Sequence, residues 1–329
     1  MNDENQMGAK PTSGRRGGGC LRWLGTGLAA LLGLALVGYI YEPIAEAADA
    51  KTYPPPGELV DVGGYRLHIN CTGSGSPTVV IVAGAGDWST TWGGVVQPEV
   101  TKVTRVCTYD RAGLGWSEAS PLSSDVAQFA KELHTLLQNA NVPGPYVMVG
   151  HSLGGFVVRI FAHDYASEVA GVVLIDSMNP KQVSQSLSNS LAQQYSLQAV
   201  LARFGIGRLL VKLPSIAPSM PAGEEAYYPF YIRPGSLQAS AKEYRGLPAS
   251  AAEAAAVKTF GDLPLIVLTA KLNDLPGWPE WQTELLQLSS NSQHLFAENS
   301  GHTIQRDEPQ AAVAAILQMV QQVRETGTR

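Results

Sequence analysis

Short apolar runs and helical hydrophobic periods alternate along most of this 329-residue chain. A continuous apolar run bounded by turn residues is typical of a strand buried on both faces, whereas apolar residues spaced three and four apart indicate a helix. A Gly63-Gly64 turn predicts a hairpin ahead of this pattern. The predicted buried strands are 78–82, 104–109, 146–149, 170–175, 265–269 and 294–298, and the predicted helices are 124–139, 156–165 and 309–324. The alternation predicts an α/β protein with a mostly parallel sheet and helices on both faces.

The segment at 179–260 departs from this alternation. It is long, rich in Ala, Ser and Leu, helical in parts, and has no clear strand pattern. A structureless loop of that length is implausible inside a compact domain. We therefore predict an inserted helical cap at 179–260, which divides the core domain into 58–178 and 261–329.

Ahead of the globular part, residues 23–41 are apolar and uncharged. As a helix this run would be about 28 Å long, close to the hydrocarbon thickness of a bilayer. Trp23, Tyr39 and Tyr41 lie at its ends, where aromatic rings favour the membrane interface. The run therefore predicts a transmembrane helix.

The charges that flank this helix predict its orientation. Basic residues precede it within 1–22 and acidic residues follow it, so the positive-inside rule predicts a cytoplasmic tail at 1–22 and an extracytoplasmic globular part. We expect 23–41 to remain as a single-pass signal anchor, followed by a proline-rich linker at 42–57. The alternative is a signal sequence cleaved near Ala47, which would release a secreted protein.

The composition narrows the classes of function. Hydrophobic residues make up 45% and charged residues 16%, which suits a buried core, and the formal net charge of -5 argues against a nucleic-acid binder. The sequence has no C-x-x-C pair, no P-loop and no G-x-G-x-x-G. We therefore expect a small-molecule substrate, with no metal and no cofactor.

A nucleophile motif lies between a predicted strand and a predicted helix. Gly150-His151-Ser152-Leu153-Gly154 fits G-x-S-x-G, a pattern that is weak alone because glycine and serine are common in this chain. Its position is more informative, since a strand-to-helix turn presents the central serine at the carboxyl end of the sheet, where α/β proteins place their sites. Ser152 is therefore the candidate nucleophile.

From about residue 58 onward the chain resembles the α/β-hydrolase superfamily, in the branch whose core carries an inserted cap. The motifs are Tyr-Asp-Arg-Ala-Gly-Leu-Gly-Trp-Ser at 109–117, Gly-His-Ser-Leu-Gly-Gly at 150–155 and Ser-Gly-His at 300–302, in the family's order. With its predicted membrane segment, the chain is similar to bacterial membrane-anchored α/β hydrolases. The resemblance implies an eight-stranded sheet and favours hydrolysis, but it says little about the substrate.

The resemblance also implies partners for Ser152. The family order of serine, acid and histidine places the general base late in the chain, at His302. Two positions remain open for the acid: Asp274 follows the strand 265–269, the usual position, and Asp176 directly follows the strand 170–175, which some relatives use. We expect Asp274 and keep Asp176 as the alternative.

Two further features follow from the resemblance. The oxyanion hole is expected to use the backbone N–H groups of Leu153 and Ala85. Cys71 and Cys107 lie on strands that are neighbours in the family's sheet, so a disulfide is possible in an oxidising compartment, with two buried thiols as the alternative. Asp110-Arg111 is expected to be architectural.

The expected activity is acyl transfer to water by a serine hydrolase, with small to medium carboxylic esters as substrates. Lactonases, C–C hydrolases, aminopeptidases and haloperoxidases share this fold and remain alternatives. A ligand-binding protein with a slow triad is a second class. A membrane-tethered structural protein is a third, and it predicts an unreactive Ser152.

Overall fold

The computed structural model describes residues 18–211 and 225–327. The first part of the predicted tail, residues 1–17, lies outside the described residues, as do 212–224 of the predicted cap and the last two residues of the predicted core. The strands are β1 (Glu58–Asp61), β2 (Arg66–Thr72), β3 (Thr78–Val82), β4 (Val106–Tyr109), β5 (Tyr146–His151), β6 (Val169–Ile175), β7 (Leu265–Ala270) and β8 (Ser292–Ala297).

Twelve α-helices accompany these strands in the described ranges. They are α1 (Gly18–Thr52), α2 (Thr90–Gly93), α3 (Val96–Thr101), α4 (Val126–Asn139), α5 (Leu153–Asp164), α6 (Gln185–Ala202), α7 (Ile206–Leu210), α8 (Tyr228–Tyr231), α9 (Pro234–Ala256), α10 (Trp278–Leu285), α11 (Ile304–Asp307) and α12 (Pro309–Thr326).

All eight strands form one sheet in the order β1-β2-β4-β3-β5-β6-β7-β8. β2 pairs antiparallel with β1 and with β4, and the other five pairings are parallel. The predicted α/β fold with a mostly parallel eight-stranded sheet is confirmed. Because the carboxyl ends of parallel strands meet at one edge, the loops after β3, β5, β6, β7 and β8 converge there.

Helices cover both faces of the sheet. Along β3, Val80 and Val82 pack into one core with α4, α5 and α9, whereas Val79 and Ile81 pack into a second core with α3 and α12. All four side chains are buried, and full burial of one such side chain stabilises the fold by about 1.5–3 kcal/mol. This two-sided burial explains why the strands appear in the sequence as continuous apolar runs rather than as alternating ones.

The cap is inserted between β6 and β7, and the described part of 179–260 contains helices and no strand. Its two long helices, α6 and α9, pack against each other, and Tyr195 of α6 stacks on Tyr244 of α9 with ring centroids 5.2 Å apart. α9 also contributes Leu247, Ala251 and Ala254 to the core beneath α4 and α5. The cap therefore sits at the carboxyl edge of the sheet and is anchored to the core.

The N-terminal helix is longer than the sequence predicted. α1 continues to Thr52 instead of ending at Tyr41, so the prediction of a linker was wrong over residues 42–52. Pro43 lies inside the helix and costs it a backbone hydrogen bond, but contacts with the cap hold this part: Arg208 of α7 pairs with Glu42 at 2.9 Å and with Asp49 at 2.7 Å. By length and composition, the helix from Trp23 onward is able to cross a membrane.

A disulfide joins Cys71 and Cys107, the pair that the sequence proposed. The two residues lie directly opposite each other in the register of β2 and β4. The bond links the two strands near the antiparallel edge of the sheet, away from the loops that build the site.

Candidate active site

Ser152 lies in the turn between β5 and α5 with φ 52° and ψ -121°. Such a backbone conformation costs a residue other than glycine about 1–3 kcal/mol, and it persists only where the surroundings enforce it. Close packing against β3 is part of these surroundings: a Cβ on Gly154 would lie 2.2 Å from the carbonyl oxygen of Val82. The turn can therefore press against β3 only with glycine at this position, which explains the spacing of the motif.

His302 lies in the loop between β8 and α11 and contacts Ser152. Its Nε2 is 3.1 Å from Ser152 Oγ, and its Nδ1 is 2.7 Å from Asp176 Oδ2. Since a carboxylate only accepts, Nδ1 donates to Asp176, which leaves Nε2 to accept the serine proton. The His302 side chain is 41% exposed and Asp176 is fully buried, so the hydrogen-bonded chain runs from solvent into the protein.

Asp176 directly follows β6, with φ 40°, and its buried carboxylate is fully hydrogen-bonded. Oδ2 accepts from His302 and from Asn273 Nδ2 at 2.8 Å, while Oδ1 accepts from Trp278 Nε1 at 2.8 Å and from the Ala270 N–H at 2.9 Å. A buried carboxylate is costly unless donors surround it, and these four donors offset that cost.

The acid that we expected, Asp274, does not occupy this position. Its side chain is exposed, and the carboxylate that meets His302 is that of Asp176, the alternative. The reason lies in the loop after β7, where Asn273 turns inward to Asp176 and its Oδ1 accepts the Leu275 N–H at 3.4 Å. This turn directs Asp274 outward, so the loop supplies donors to the acid instead of the acid itself.

The loop after β3 lies against Ser152. A Cβ on Gly84 would be 3.2 Å from Ser152 Cβ and 2.9 Å from His151 Nδ1, so only glycine fits there. The next residue is Ala85, and the N–H groups after it are engaged: Gly86 donates to Glu243 and Asp87 to the Gly84 carbonyl. On the other side, Leu153 is the first residue of α5, where N–H groups lack an intrahelical partner.

A buried ion pair holds this loop in place. Arg111 donates to the carbonyl oxygens of Ala83 at 2.6 Å and Gly84 at 2.5 Å, and it pairs with Glu243 of α9 at 2.6 Å. Both side chains are buried, and breaking such a pair by removing one partner typically costs about 3–5 kcal/mol. Arg111 is thus architectural, as expected, but its partner was not foreseen, because no local sequence pattern connects it to Glu243.

His151 is a second histidine at the site. It is buried, and its Nε2 donates to the backbone carbonyl of His302 at 2.9 Å. Burial is the main cause that lowers the pKa of His151, to about 3, and the neighbouring His302 contributes in the same direction. His151 is therefore neutral at physiological pH and supports the His302 loop as a hydrogen-bond donor.

Within the described ranges, no group of three or more His, Cys, Asp and Glu side chains is arranged to hold a metal ion. Ser152, His302 and Asp176 are instead hydrogen-bonded to one another in a chain. The arrangement can activate a hydroxyl for attack and carry its proton.

The sequence matches the model of the alpha/beta hydrolase family over residues 79–316. This match covers most of the chain, and the chain belongs to that family. An uncharacterized protein of Schizosaccharomyces pombe is 27% identical over 76% of this chain and 52% of its own length. The uncharacterized protein YqjL of Bacillus subtilis is 28% identical over 74% of this chain and 83% of its own length. The match thus spans about half of the yeast protein.

Solved structures of the same fold differ in the reactions that their names state. A putative lipase from Acinetobacter baumannii has a TM-score of 0.66 at 22% identity, covering 85% of this chain and 97% of its own. A thermophilic esterase from Thermogutta terrifontis has a TM-score of 0.64 at 19% identity, covering 81% of this chain and 98% of its own. The epoxide hydrolase CorEH has a TM-score of 0.60 at 22% identity, covering 80% of this chain and 97% of its own. At these identities the likeness shows the fold alone.

Proposed function

We propose that the protein is a serine hydrolase that cleaves small to medium carboxylic esters by acyl transfer. Ser152 is the nucleophile, His302 the general base and Asp176 the acid. The observation that carries this proposal is the unbroken hydrogen-bonded chain from Ser152 Oγ through the imidazole of His302 to the buried carboxylate of Asp176.

In the proposed reaction, Ser152 Oγ attacks the ester carbonyl carbon while its proton passes to His302 Nε2. Asp176 stabilises the imidazolium, and the N–H groups of Leu153 and Ala85 bind the oxyanion of the tetrahedral intermediate. His302 then gives the proton to the leaving alcohol, and an acyl group remains on Ser152. Water, deprotonated by His302, attacks this acyl-enzyme, releases the acid and restores Ser152.

A serine nucleophile favours ester cleavage over the epoxide chemistry that occurs on the same fold. Attack of Ser152 Oγ on an epoxide carbon would leave an ether on the serine, and water does not hydrolyse an ether under these conditions. Attack on an ester carbonyl leaves an acyl ester, which the same histidine and water can cleave. The identity of residue 152 therefore supports carbonyl substrates.

We further propose that α1 is a retained single-pass membrane anchor with the catalytic domain outside the cytoplasm. Glu42 is 2% exposed and pairs with Arg208, although it lies only a few residues before the possible cleavage position at Ala47. Cleavage there would remove Glu42 and leave Arg208 of the cap without that partner. The contact supports retention of the helix.

The test is labelling of the full-length, detergent-solubilised chain by a fluorophosphonate probe. We expect labelling of the wild type, complete loss in Ser152→Ala, and no change in Ser290→Ala, a matched control at an exposed serine. An ester series of p-nitrophenyl acetate, butyrate and octanoate would then rank acyl length. A well-folded wild type that resists the probe would show the proposal to be wrong.

A further inference from the structure

The helix α1 has two parts that differ in their surroundings. From Trp23 to Tyr41 nearly all of its side chains are exposed, including Leu24, Leu31 and Leu36. From Glu42 onward it is docked on the cap through the two carboxylates that pair with Arg208. The helix therefore leaves the globular part at about Gly38 to Glu42.

The point of departure is in contact with the turn between α6 and α7. A Cβ on Gly38 would lie 2.1 Å from the carbonyl oxygen of Phe204, and the rings of Tyr39 and Phe204 are 6.2 Å apart. At the far end of the docked part, the Tyr53 carbonyl accepts a hydrogen bond from Trp116 Nε1 at 2.9 Å. These contacts fix the docked part of α1 relative to the cap at one end and to the core domain at the other.

This geometry fixes the height of the cap above a membrane. The exposed part of α1, residues 23–41, is about 28 Å long, close to the hydrocarbon thickness of a bilayer. A bilayer crossed by this part ends close to Tyr41, within one helical turn of Gly38. Phe204 touches Gly38, so the turn between α6 and α7 lies at the membrane surface.

That turn is surrounded by large exposed apolar side chains. Leu197, Val200 and Leu201 are spaced three and four apart on one face of α6, and Leu209 and Leu210 belong to α7. Leu209 is 66% exposed and Leu197 61%. We call these five residues the corner patch. An apolar cavity of about 200 Å³ shares Leu201 and Leu210 with the patch, and the exposed Arg203 lies beside Phe204.

We propose that the corner patch is a membrane-binding surface, and that it inserts into the same leaflet that α1 enters. The proposal rests on the proposed anchoring by α1 and deepens it. Apolar side chains at the level of the headgroups gain by leaving water for the acyl boundary, and a basic residue beside them suits the phosphates. The bilayer is the apolar phase nearest to the patch, because Phe204, which lies between the α6 and α7 residues of the patch, contacts the helix that crosses it.

The test uses the full chain reconstituted in phosphatidylcholine–phosphatidylglycerol vesicles that contain lipids spin-labelled either near the headgroup, for the probe at Leu209, or deep in the acyl chain, for the probe at Leu31. In a Cys20→Ser background, a fluorophore is attached to one new cysteine at a time: Leu209→Cys in the patch, Leu31→Cys in the anchor, and Val103→Cys as a control. Val103 is also an exposed apolar residue, but it precedes β4 at the opposite edge of the sheet. We expect several-fold stronger quenching at Leu209 than at Val103.

Each outcome decides between the two proposals. Quenching at Leu31 and Leu209 but not at Val103 supports the membrane-binding surface. Quenching at Leu31 alone leaves the anchor in place and overturns the corner patch, whereas no quenching at Leu31 overturns the anchor itself. A third outcome is that spin-labelled lipid does not quench the fluorophore at Leu209, while its accessibility to water falls as the number of protein molecules per vesicle rises. A second copy of the chain then covers the patch, and the proposal is wrong.

Discussion

The loops that follow β6 and β7 lie side by side at the carboxyl edge of the sheet. Each carries an aspartate that the sequence offered as a candidate for the catalytic acid. Asp176 is the first residue after β6, is fully buried and meets His302. Asp274 comes later in the loop after β7 and is exposed. The two carboxylates have the same chemistry, so their surroundings make the difference.

The comparison shows that a catalytic carboxylate at this place depends on the hydrogen-bond donors around it as much as on the aspartate itself. The loop after β7 contributes Asn273, and α10 contributes Trp278, and both donate to Asp176. A buried carboxylate without such donors would take up a proton and lose its function. The loop after β7 therefore supplies hydrogen-bond donors to the aspartate that follows β6.

The largest expected effect comes from exchanging the carboxylates for amides. Asp176→Asn removes the acceptor that orients His302 and stabilises its charged form, so we expect kcat for ester hydrolysis to fall about 10⁴-fold with little change in KM. Asp274→Asn is the matched control and should retain full activity. Steady-state kinetics on both purified variants measures this. A loss confined to Asp274→Asn would restore the assignment that the sequence favoured.

A smaller effect should follow from weakening the support. Trp278→Phe removes the indole N–H that donates to Asp176 Oδ1 but keeps most of the ring, so we expect kcat to fall about tenfold, the equivalent of one charge-assisted hydrogen bond. Trp281→Phe, the same exchange one turn further along α10, is the control. Equal kinetics in the two variants would mean that the donor at Trp278 does not matter for catalysis.

Most of the fold was predictable because it depends on local patterns. Continuous apolar runs such as Thr78–Val82 and Val172–Ile175 indicate strands wherever the sheet is covered on both faces. The helical extension to Thr52 was not predictable, since Pro43 argues against it locally. Distant contacts account for it, such as those of Arg208 with Glu42 and Asp49.

For the site, the sequence indicated Ser152 and His302, because both lie in motifs with a defined place relative to a strand. It left two aspartates open, because the spacing along the chain does not show which way a loop turns. Asn273 decides this by turning inward, and its role depends on a carboxylate ninety-odd residues earlier in the chain. The link from Arg111 to Glu243 was hidden for the same reason.

The smallest expected effect concerns the two histidines at this edge and the stability of the fold. His302 donates to a carboxylate, whereas His151 is buried, is held neutral, and has a pKa of about 3 in the folded protein against about 6.5 when unfolded. Below about pH 6.5 the unfolded chain therefore binds a proton that the folded protein does not. The stability that neutral His151 confers is fully present above that pH and is lost progressively as the pH falls towards 3.

Urea unfolding measured at pH 7.5 and 5.5 should thus show the wild type losing about 1 kcal/mol more than His151→Gln, whose amide can still donate to the His302 carbonyl. Comparing the two proteins cancels the contributions of all other titrating groups, which both share. His163→Gln, at an exposed histidine, should follow the wild type. If His151→Gln instead loses as much stability as the wild type, His151 does not resist protonation. The contrast between a histidine paired with a carboxylate and a buried neutral histidine at this edge would then fail.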